Sequence, residues 1–418
     1  MIEYKRRKGV SIMHYIIGII GILLFLFLAW LVSSDKMRVR WQYIGLMIVI
    51  QFIFAFLLLK TTGGLTIIGG ISSGFGYIIA KAMEGINFVF AGIANIDPKT
   101  DKPVSVYFLN VLMPIVFVSA LIGILQYLKI LPLIIKYLGL VISKVNGMGK
   151  LESYNAVASA ILGQSEVFIS IKKQLPLIPK HRMYTLTASA MSTISASIVG
   201  AYFTMVEPRY VVTAIVLNLF GGFIMASIIN PYTVDPKEDD IMIQESEEKQ
   251  SFFEMLGEYI LDGFKVAVIV AAMLIGYVAL IGLLNGVTSN ILSFVSGGSV
   301  SWDFQTLIGF VFAPFAFLTG VPWADAVQSG SIMATKVLSN EFVAMGILPD
   351  ADISERANGI ISVFLVSFAN FGSIGIIAGA VKSLNDKQGD NVARFGIKLL
   401  YGATLVSFLS ATIAGFFL

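Results

Sequence analysis

Eight uncharged, strongly apolar stretches, each close to the length of a bilayer-spanning helix, constrain this chain more than any other feature. They run roughly 12–33, 42–59, 105–128, 183–206, 210–232, 266–285, 357–381 and 399–418. About 20 apolar residues cross a hydrocarbon core as a helix. Lipid offers no hydrogen-bond partners, so a spanning segment must satisfy its own backbone. The expectation is an all-α polytopic membrane protein with eight transmembrane helices and no sizeable soluble domain. Composition agrees: charged residues are 13% of the 418, mean hydropathy is +0.84, and a soluble domain carries roughly 25% charged residues. Net charge is only +3, which is no signature of nucleic-acid binding. The absence of cysteine excludes disulfides, thiolate metal sites and cysteine catalysis. Two histidines, His14 and His181, are too few for a multi-His metal or haem centre, and neither metal nor organic cofactor is expected. The first stretch is too long, and lacks the small-residue cleavage site, for a secretory signal peptide. It reads as a retained helix.

Three regions do not fit plain spans. Residues 61–94 hold eight glycines, with Lys81 and Glu84 inside an otherwise apolar run, which suits a helix lying at the membrane interface. Residues 132–178 and 304–348 are long apolar regions with polar residues at their middles, each read as two short helical pieces meeting at a break. The polar linker 235–258 carries nine acidic residues and two lysines and reads as a loop with an amphipathic piece near Phe252 to Leu256. Basic residues mark the cytoplasmic side. An external N-terminus places Lys36, Arg38, Arg40, Lys172, Lys173, Lys180, Arg182, Lys382, Lys387, Arg394 and Lys398 inside. Only scattered charges, such as Lys99, Lys102, Arg209 and Arg356, then remain outside. The basic tail Lys5 to Lys8 argues the other way and is outvoted by the later loops.

The chain also repeats weakly at an offset of 175. Gly163-Gln164-Ser165-Glu166-Val167-Phe168 aligns with Leu338-Ser339-Asn340-Glu341-Phe342-Val343. Ser192-Thr193-Ile194-Ser195 falls on Ser367-Phe368-Ala369-Asn370, and Ile198 to Gly200 on Ser373 to Gly375. Paired interruptions in two halves point to a transporter binding site. Non-helical backbone survives at membrane depth only where protein or a water-filled cavity satisfies it, and broken helix ends offer free N–H and C=O groups to a polar solute. Glu166 and Glu341 fall at the two breaks, and a carboxylate there is costly enough to imply a function. The bland alternative is a carboxylate satisfied by the backbone amides of its own break. Gln164 and Asn340 could equally join helices. Asn370 and Ser373 lie three apart, on one helical face, although Ser373 alone could be a close-packing residue. Phe368 is either core or the cover of a ring-shaped solute.

Other signals are weaker. Gly70-Ile71-Ser72-Ser73-Gly74 matches the G-x-S-x-G pattern of serine hydrolases. No strand precedes it, and glycines that permit close packing are the better explanation. His14 reads as interfacial or packed within its helix. His181, beside Arg182, reads as a cytoplasmic loop residue with pH sensing as a minority option.

Three motifs in order, Gly163-Gln164-Ser165-Glu166, Ser339-Asn340-Glu341-Phe342-Val343 and Ser367-Phe368-Ala369-Asn370-Phe371, resemble the concentrative nucleoside transporters. Gly372 to Gly375 and Asn155 to Ile161 support the likeness, which covers nearly the whole chain and looks nearest the bacterial NupC-type nucleoside permeases. The resemblance implies a homotrimer in the bacterial cytoplasmic membrane. It implies two re-entrant hairpins, an interfacial helix and an inverted repeat besides the eight spans. Residues 1–130 would be scaffold with the interfacial helix, 131–232 the first transport repeat, 233–302 a linker and scaffold helix, and 303–418 the second transport repeat. Nucleobase contacts would fall on Gln164, Ser165 and Glu166, ribose contacts on Glu341, Asn370 and Ser373, and packing contacts on Phe368 and Ile198. The family usually has threonine where this chain has Ser165. Nucleosides of the uridine, cytidine and adenosine class would be imported by alternating access of the elevator type.

The driving ion follows from one departure. Sodium-coupled members of the family carry asparagine five residues before the glutamine, and here that position is Ser159. Other sodium ligands of the family would be carbonyls near Leu162 and Ile194 and a hydroxyl at Thr193. A serine hydroxyl reaches less far than an asparagine carbonyl, so proton symport is favoured, with Glu341 the first proton carrier and Glu166 the second. Sodium-coupled symport is the alternative. A channel-like pore and a membrane-embedded hydrolase using Ser72 are readings from other classes.

Overall fold

The computed structural model describes residues 2–90, 106–235, 239, 251–300 and 302–418, with side chains from residue 13 onward. Lys99, Lys102, the side chains of the basic tail and most of the acidic linker lie outside the described residues. The described elements are all helical. Helices α1 (Ile2–Leu31), α2 (Trp41–Lys60) and α3 (Thr62–Phe90) come first. α3 is unbroken over 29 residues. It is long and apolar enough to span and is mostly exposed, so its length alone does not single out the interfacial placement. Gly70 to Gly74 sit inside it, with none of the strand-to-helix turn that a nucleophilic serine needs. The hydrolase reading of Ser72 fails on that geometry.

Next come α4 (Pro114–Tyr127), α5 (Ile130–Asn146), α6 (Lys150–Leu162) and the short α7 (Val167–Ser170). They are followed by α8 (Lys180–Ser192), α9 (Ala196–Met205) and α10 (Pro208–Ile229). The expected span 183–206 is therefore two helices, separated by extended backbone at Thr193 and Ser195. The region 132–178 also divides differently from expectation. α5 is a whole helix before the break, and the break lies between α6 and α7.

α11 (Phe252–Val295) is one helix of 44 residues, about 66 Å long at 1.5 Å per residue. The stretch 252–258, expected as loop with an amphipathic piece, is its first two turns. Ser251 and Glu254 cap it reciprocally: the Ser251 hydroxyl accepts from Glu254 N at 3.2 Å and Glu254 accepts from Ser251 N at 3.4 Å. α12 (Phe304–Leu318), α13 (Ala326–Leu338) and α14 (Glu341–Ile347) follow. The region 304–348 is thus again one whole helix plus a broken pair. α15 (Glu355–Leu365), α16 (Phe371–Leu384), α17 (Asp386–Arg394) and α18 (Gly396–Gly415) end the chain. The expected span 357–381 is split at residues 366–370, where Asn370 is extended.

The helix boundaries repeat. Shifted by 175, the starts of α6, α8 and α9 fall at 325, 355 and 371, and α13, α15 and α16 start at 326, 355 and 371. The core forms around α10 and α18, against which α1, α2, α8 and α15 pack. α2 is fastened there by Gln51, fully buried, whose side-chain N–H donates to the Leu217 carbonyl at 2.7 Å. α4 packs mainly on α11, which beyond Lys265 carries no charged residue and is largely exposed, as expected of a helix facing lipid or a second copy.

Arg182, expected as a loop charge, is instead buried. Its guanidinium clasps Glu152 of α6 in a two-point pair, Nε to Oε1 at 2.6 Å and Nη2 to Oε2 at 2.8 Å, and Tyr232 donates to Glu152 Oε1 at 2.9 Å. A second carboxylate, Asp239, lies 3.7 Å from Arg182 Nη2. Removing one member of a buried pair strands the other charge and costs about 3–5 kcal/mol. Arg182→Met should therefore melt well below the parent protein in detergent, whereas Tyr232→Phe, which loses one hydrogen bond, should cost only about 1–2 kcal/mol. Thermal unfolding of the two purified variants checks the ranking.

Candidate functional site

The two broken spans cross at their breaks. Phe368 N–H, between α15 and α16, donates to the Thr193 carbonyl, between α8 and α9, at 3.1 Å. These residues stand 175 apart, so each break satisfies the other through the equivalent position. Each break also builds the cap of its next helix. Ser195 caps α9, accepting from Ser197 N at 3.3 Å and donating to the Leu162 carbonyl at the end of α6 at 3.1 Å. Asn370 caps α16, accepting from Ser373 N at 2.9 Å through Oδ1.

The second broken pair comes to the same place. Asn340 caps α14 by accepting from Val343 N at 2.9 Å, a structural role for one of the two amides read as ambiguous. Glu341 is 4% exposed and is held from two sides. Tyr202 of α9 donates to Oε1 at 2.9 Å and Asn370 donates through Nδ2 to Oε2 at 3.1 Å. Sequence reasoning missed Tyr202; a phenol among small apolar residues at 196–205 was the available signal. The carboxylate keeps unused lone pairs, and Ser373 Oγ, in the first turn of α16, is buried with no hydrogen bond.

The first broken pair turns at Gly163, whose φ of +113° is open to glycine. A Cβ here would also lie 2.8 Å from a Glu166 carboxylate oxygen and 3.1 Å from Ser195 Cβ. Gln164 is buried with its Oε1 unpartnered. Ser165 is half-buried and Glu166 exposed. The two glutamates therefore match in chain position but differ in burial. Ile198 and Phe368 are buried close to the crossing. An orphaned buried polar atom costs roughly 1–3 kcal/mol, and Gln164 Oε1 and Ser373 Oγ are two such atoms within the expected set.

The two expected hydroxyl ligands are buried and engaged. Ser159 Oγ donates to the Asn155 carbonyl at 2.7 Å and Thr193 Oγ1 to the Ser189 carbonyl at 3.1 Å. The Leu162 carbonyl takes the Ser195 hydroxyl described above. His14 lines a small cavity with Lys60 and Arg356, and His181 packs edge-on against the Tyr232 ring. Neither joins the site.

Three family models cover the chain. Residues 210–415 match one described as the C-terminus of the Na+ dependent nucleoside transporter, 20–93 its N-terminus, and 108–209 a gate described as nucleoside recognition. The purine nucleoside transport protein NupG of Bacillus subtilis (strain 168) is 35% identical over 408 residues, covering 97% of this chain and 100% of NupG. The chain belongs to the concentrative nucleoside transporter family. The nucleoside permease NupC of Helicobacter pylori (strain ATCC 700392 / 26695) is 29% identical, with 96% and 97% covered. CNTnw in an inward-facing substrate-bound state superimposes with a TM-score of 0.88 at 28% identity, covering 97% of this chain and 98% of that one. A doubly substituted CNTnw in an outward-facing state gives 0.89. This family member is thus a multi-pass membrane transporter, and its relatives move nucleosides rather than convert them.

In this transporter, Tyr202→Phe removes a hydrogen bond to a charged group, worth about 1.5–3 kcal/mol, without changing the shape of the core. KM for nucleoside uptake should rise at least roughly tenfold at unchanged expression, read by initial rates over a concentration series.

Proposed function

We propose that the chain is a secondary active nucleoside importer that couples uptake to protons, with the solute bound at the crossed breaks. The observation that carries the substrate reading is the Glu341 carboxylate, buried and aligned by Tyr202 and Asn370, with the Ser373 hydroxyl unpartnered. A carboxylate and an amide suit the vicinal hydroxyls of ribose, since charge-assisted hydrogen bonds are the strong ones. Gln164 Oε1 can accept an N–H from the base edge, with Ser165 and Glu166 beside it. Phe368 and Ile198 pack on the solute's apolar faces. The purine description of NupG makes inosine and guanosine candidates together with uridine, cytidine and adenosine.

Proton coupling is supported by Ser159, whose short side chain donates to the Asn155 carbonyl where sodium-coupled members carry asparagine. Glu341 is the first candidate proton carrier and Glu166 the second. The family description names sodium, so sodium symport is the competing reading. The repeated helix boundaries and the relatives in inward- and outward-facing states favour an elevator-type motion of two inverted repeats, each containing a re-entrant broken pair. The loop charges favour an external N-terminus, and the exposed apolar faces of α3 and α11 suit an interfacial helix, lipid and a trimeric contact in the cytoplasmic membrane.

Radiolabelled nucleoside uptake into proteoliposomes under imposed ion gradients tests the function. Uptake should be several-fold faster at external pH 5.5 than at 7.5 and should collapse with a protonophore. Uptake that survives the protonophore and requires sodium would exclude proton coupling. Glu341→Gln should reduce uptake to near background because it weakens the ribose anchor; near-normal uptake by this variant would remove Glu341 from the site.

A further inference from the structure

Among the described residues, one lysine is fully buried, and none of the roles above uses it. Lys336 lies in the last turn of α13, with 0% of its surface exposed. Its ammonium donates to Ser367 Oγ at 2.7 Å and to Ser407 Oγ of α18 at 3.0 Å, and the two hydroxyls bond each other at 2.9 Å. The ring of Phe364 covers a further side at 4.7 Å from the nitrogen to its centre. A lysine has three N–H donors, and two hydroxyls and a ring face satisfy this one without water. So complete an enclosure is what a buried ammonium needs, since an unpaired one is among the costliest groups to bury.

Glu341, also buried, opens α14 five residues on, across the break from the end of α13 that carries Lys336. The two do not share a hydrogen bond. The ammonium is occupied by the serines and the carboxylate by Tyr202 and Asn370, so each stays free to keep its own partners. With both ionised, the break is neutral overall. Ser367 also immediately precedes Phe368, whose N–H makes the bond to Thr193, and Asn370 follows three residues after Ser367. Lys336 thus reaches the site twice, through its field on Glu341 and through its grip on the segment carrying Phe368 and Asn370.

We propose that Lys336 is the counter-charge and positioning residue of the solute site: it balances Glu341 and, through Ser367 and Ser407, locks the second broken pair to the break of α15 and α16 and to α18. The positioning half rests on the reading of Phe368 and Asn370 as solute contacts; the counter-charge half does not.

A thermal cycle tests the counter-charge. Wild type, Lys336→Met, Glu341→Gln and the double variant are purified in one detergent and melted without nucleoside. Each single variant leaves a buried charge unbalanced and should lower Tm by on the order of 5 °C or more. The double variant removes both charges and should melt above either single one. Additive losses in the double variant would overturn the counter-charge. If a single variant does not accumulate folded, folded recovery of the double variant is the readout, and its failure to recover overturns the role as well. Ser407→Ala tests the positioning, because it keeps both charges and does not line the solute site. It should raise KM for uptake several-fold with Vmax within about twofold, and an unchanged KM would overturn it. No nucleoside enters the thermal cycle, so a wrong solute assignment shows instead as normal uptake by Glu341→Gln.

Discussion

The hydrogen bond from Phe368 N–H to the Thr193 carbonyl, 3.1 Å long, is the joint on which the molecule depends. Breaking a helix inside a membrane protein exposes donors and acceptors that lipid cannot satisfy. Two spans are broken here, and each supplies what the other lacks, at residues equivalent in the two halves. The polar side chains nearby follow from the same need. Ser195 and Asn370 are first caps, holding the starts of α9 and α16. Asn370 also reaches Glu341 through its Nδ2.

Charge is treated differently in two places. The Glu152–Arg182 pair is clasped face to face, at 2.6 and 2.8 Å, and holds α6 to α8. Glu341 and Lys336 are kept apart, each with neutral partners of its own. The clasped pair, with Tyr232 as a third contact to Glu152, serves as a fastener. A separated pair leaves the carboxylate with lone pairs that neither Tyr202 nor Asn370 uses.

The same economy bears on the ion. Hydroxyls at 159, 193 and 195 are all donated to backbone carbonyls. Ser159 and Thr193 fold back on their own helices, and Ser195 reaches across to the end of α6. Ser159 is the one position in this group where the chain departs from the asparagine of the sodium-coupled motif, and its hydroxyl is spent on the Asn155 carbonyl.

Much of this protein was legible in its sequence. Long uncharged stretches determine that it spans a membrane as helices, because lipid permits little else. The 175-residue repeat and its three motifs located both broken pairs and placed Gln164, Glu341, Asn370 and Ser373 near them. Tertiary structure alone decided which members of that set are buried. Glu166 and Glu341 are equivalent in the repeat, yet one is exposed and the other enclosed, because only Glu341 meets Tyr202 and Asn370. Apolar runs also concealed the breaks at 193 and 366–370, since hydropathy averages over a kink. Partners such as Arg182 for Glu152, 30 residues apart, and Ser407 for Lys336, 71 apart, could not be read from any local pattern. Burial and pairing are properties of segments brought together by packing, whereas length, hydropathy and capping residues act within a segment and are written along the chain.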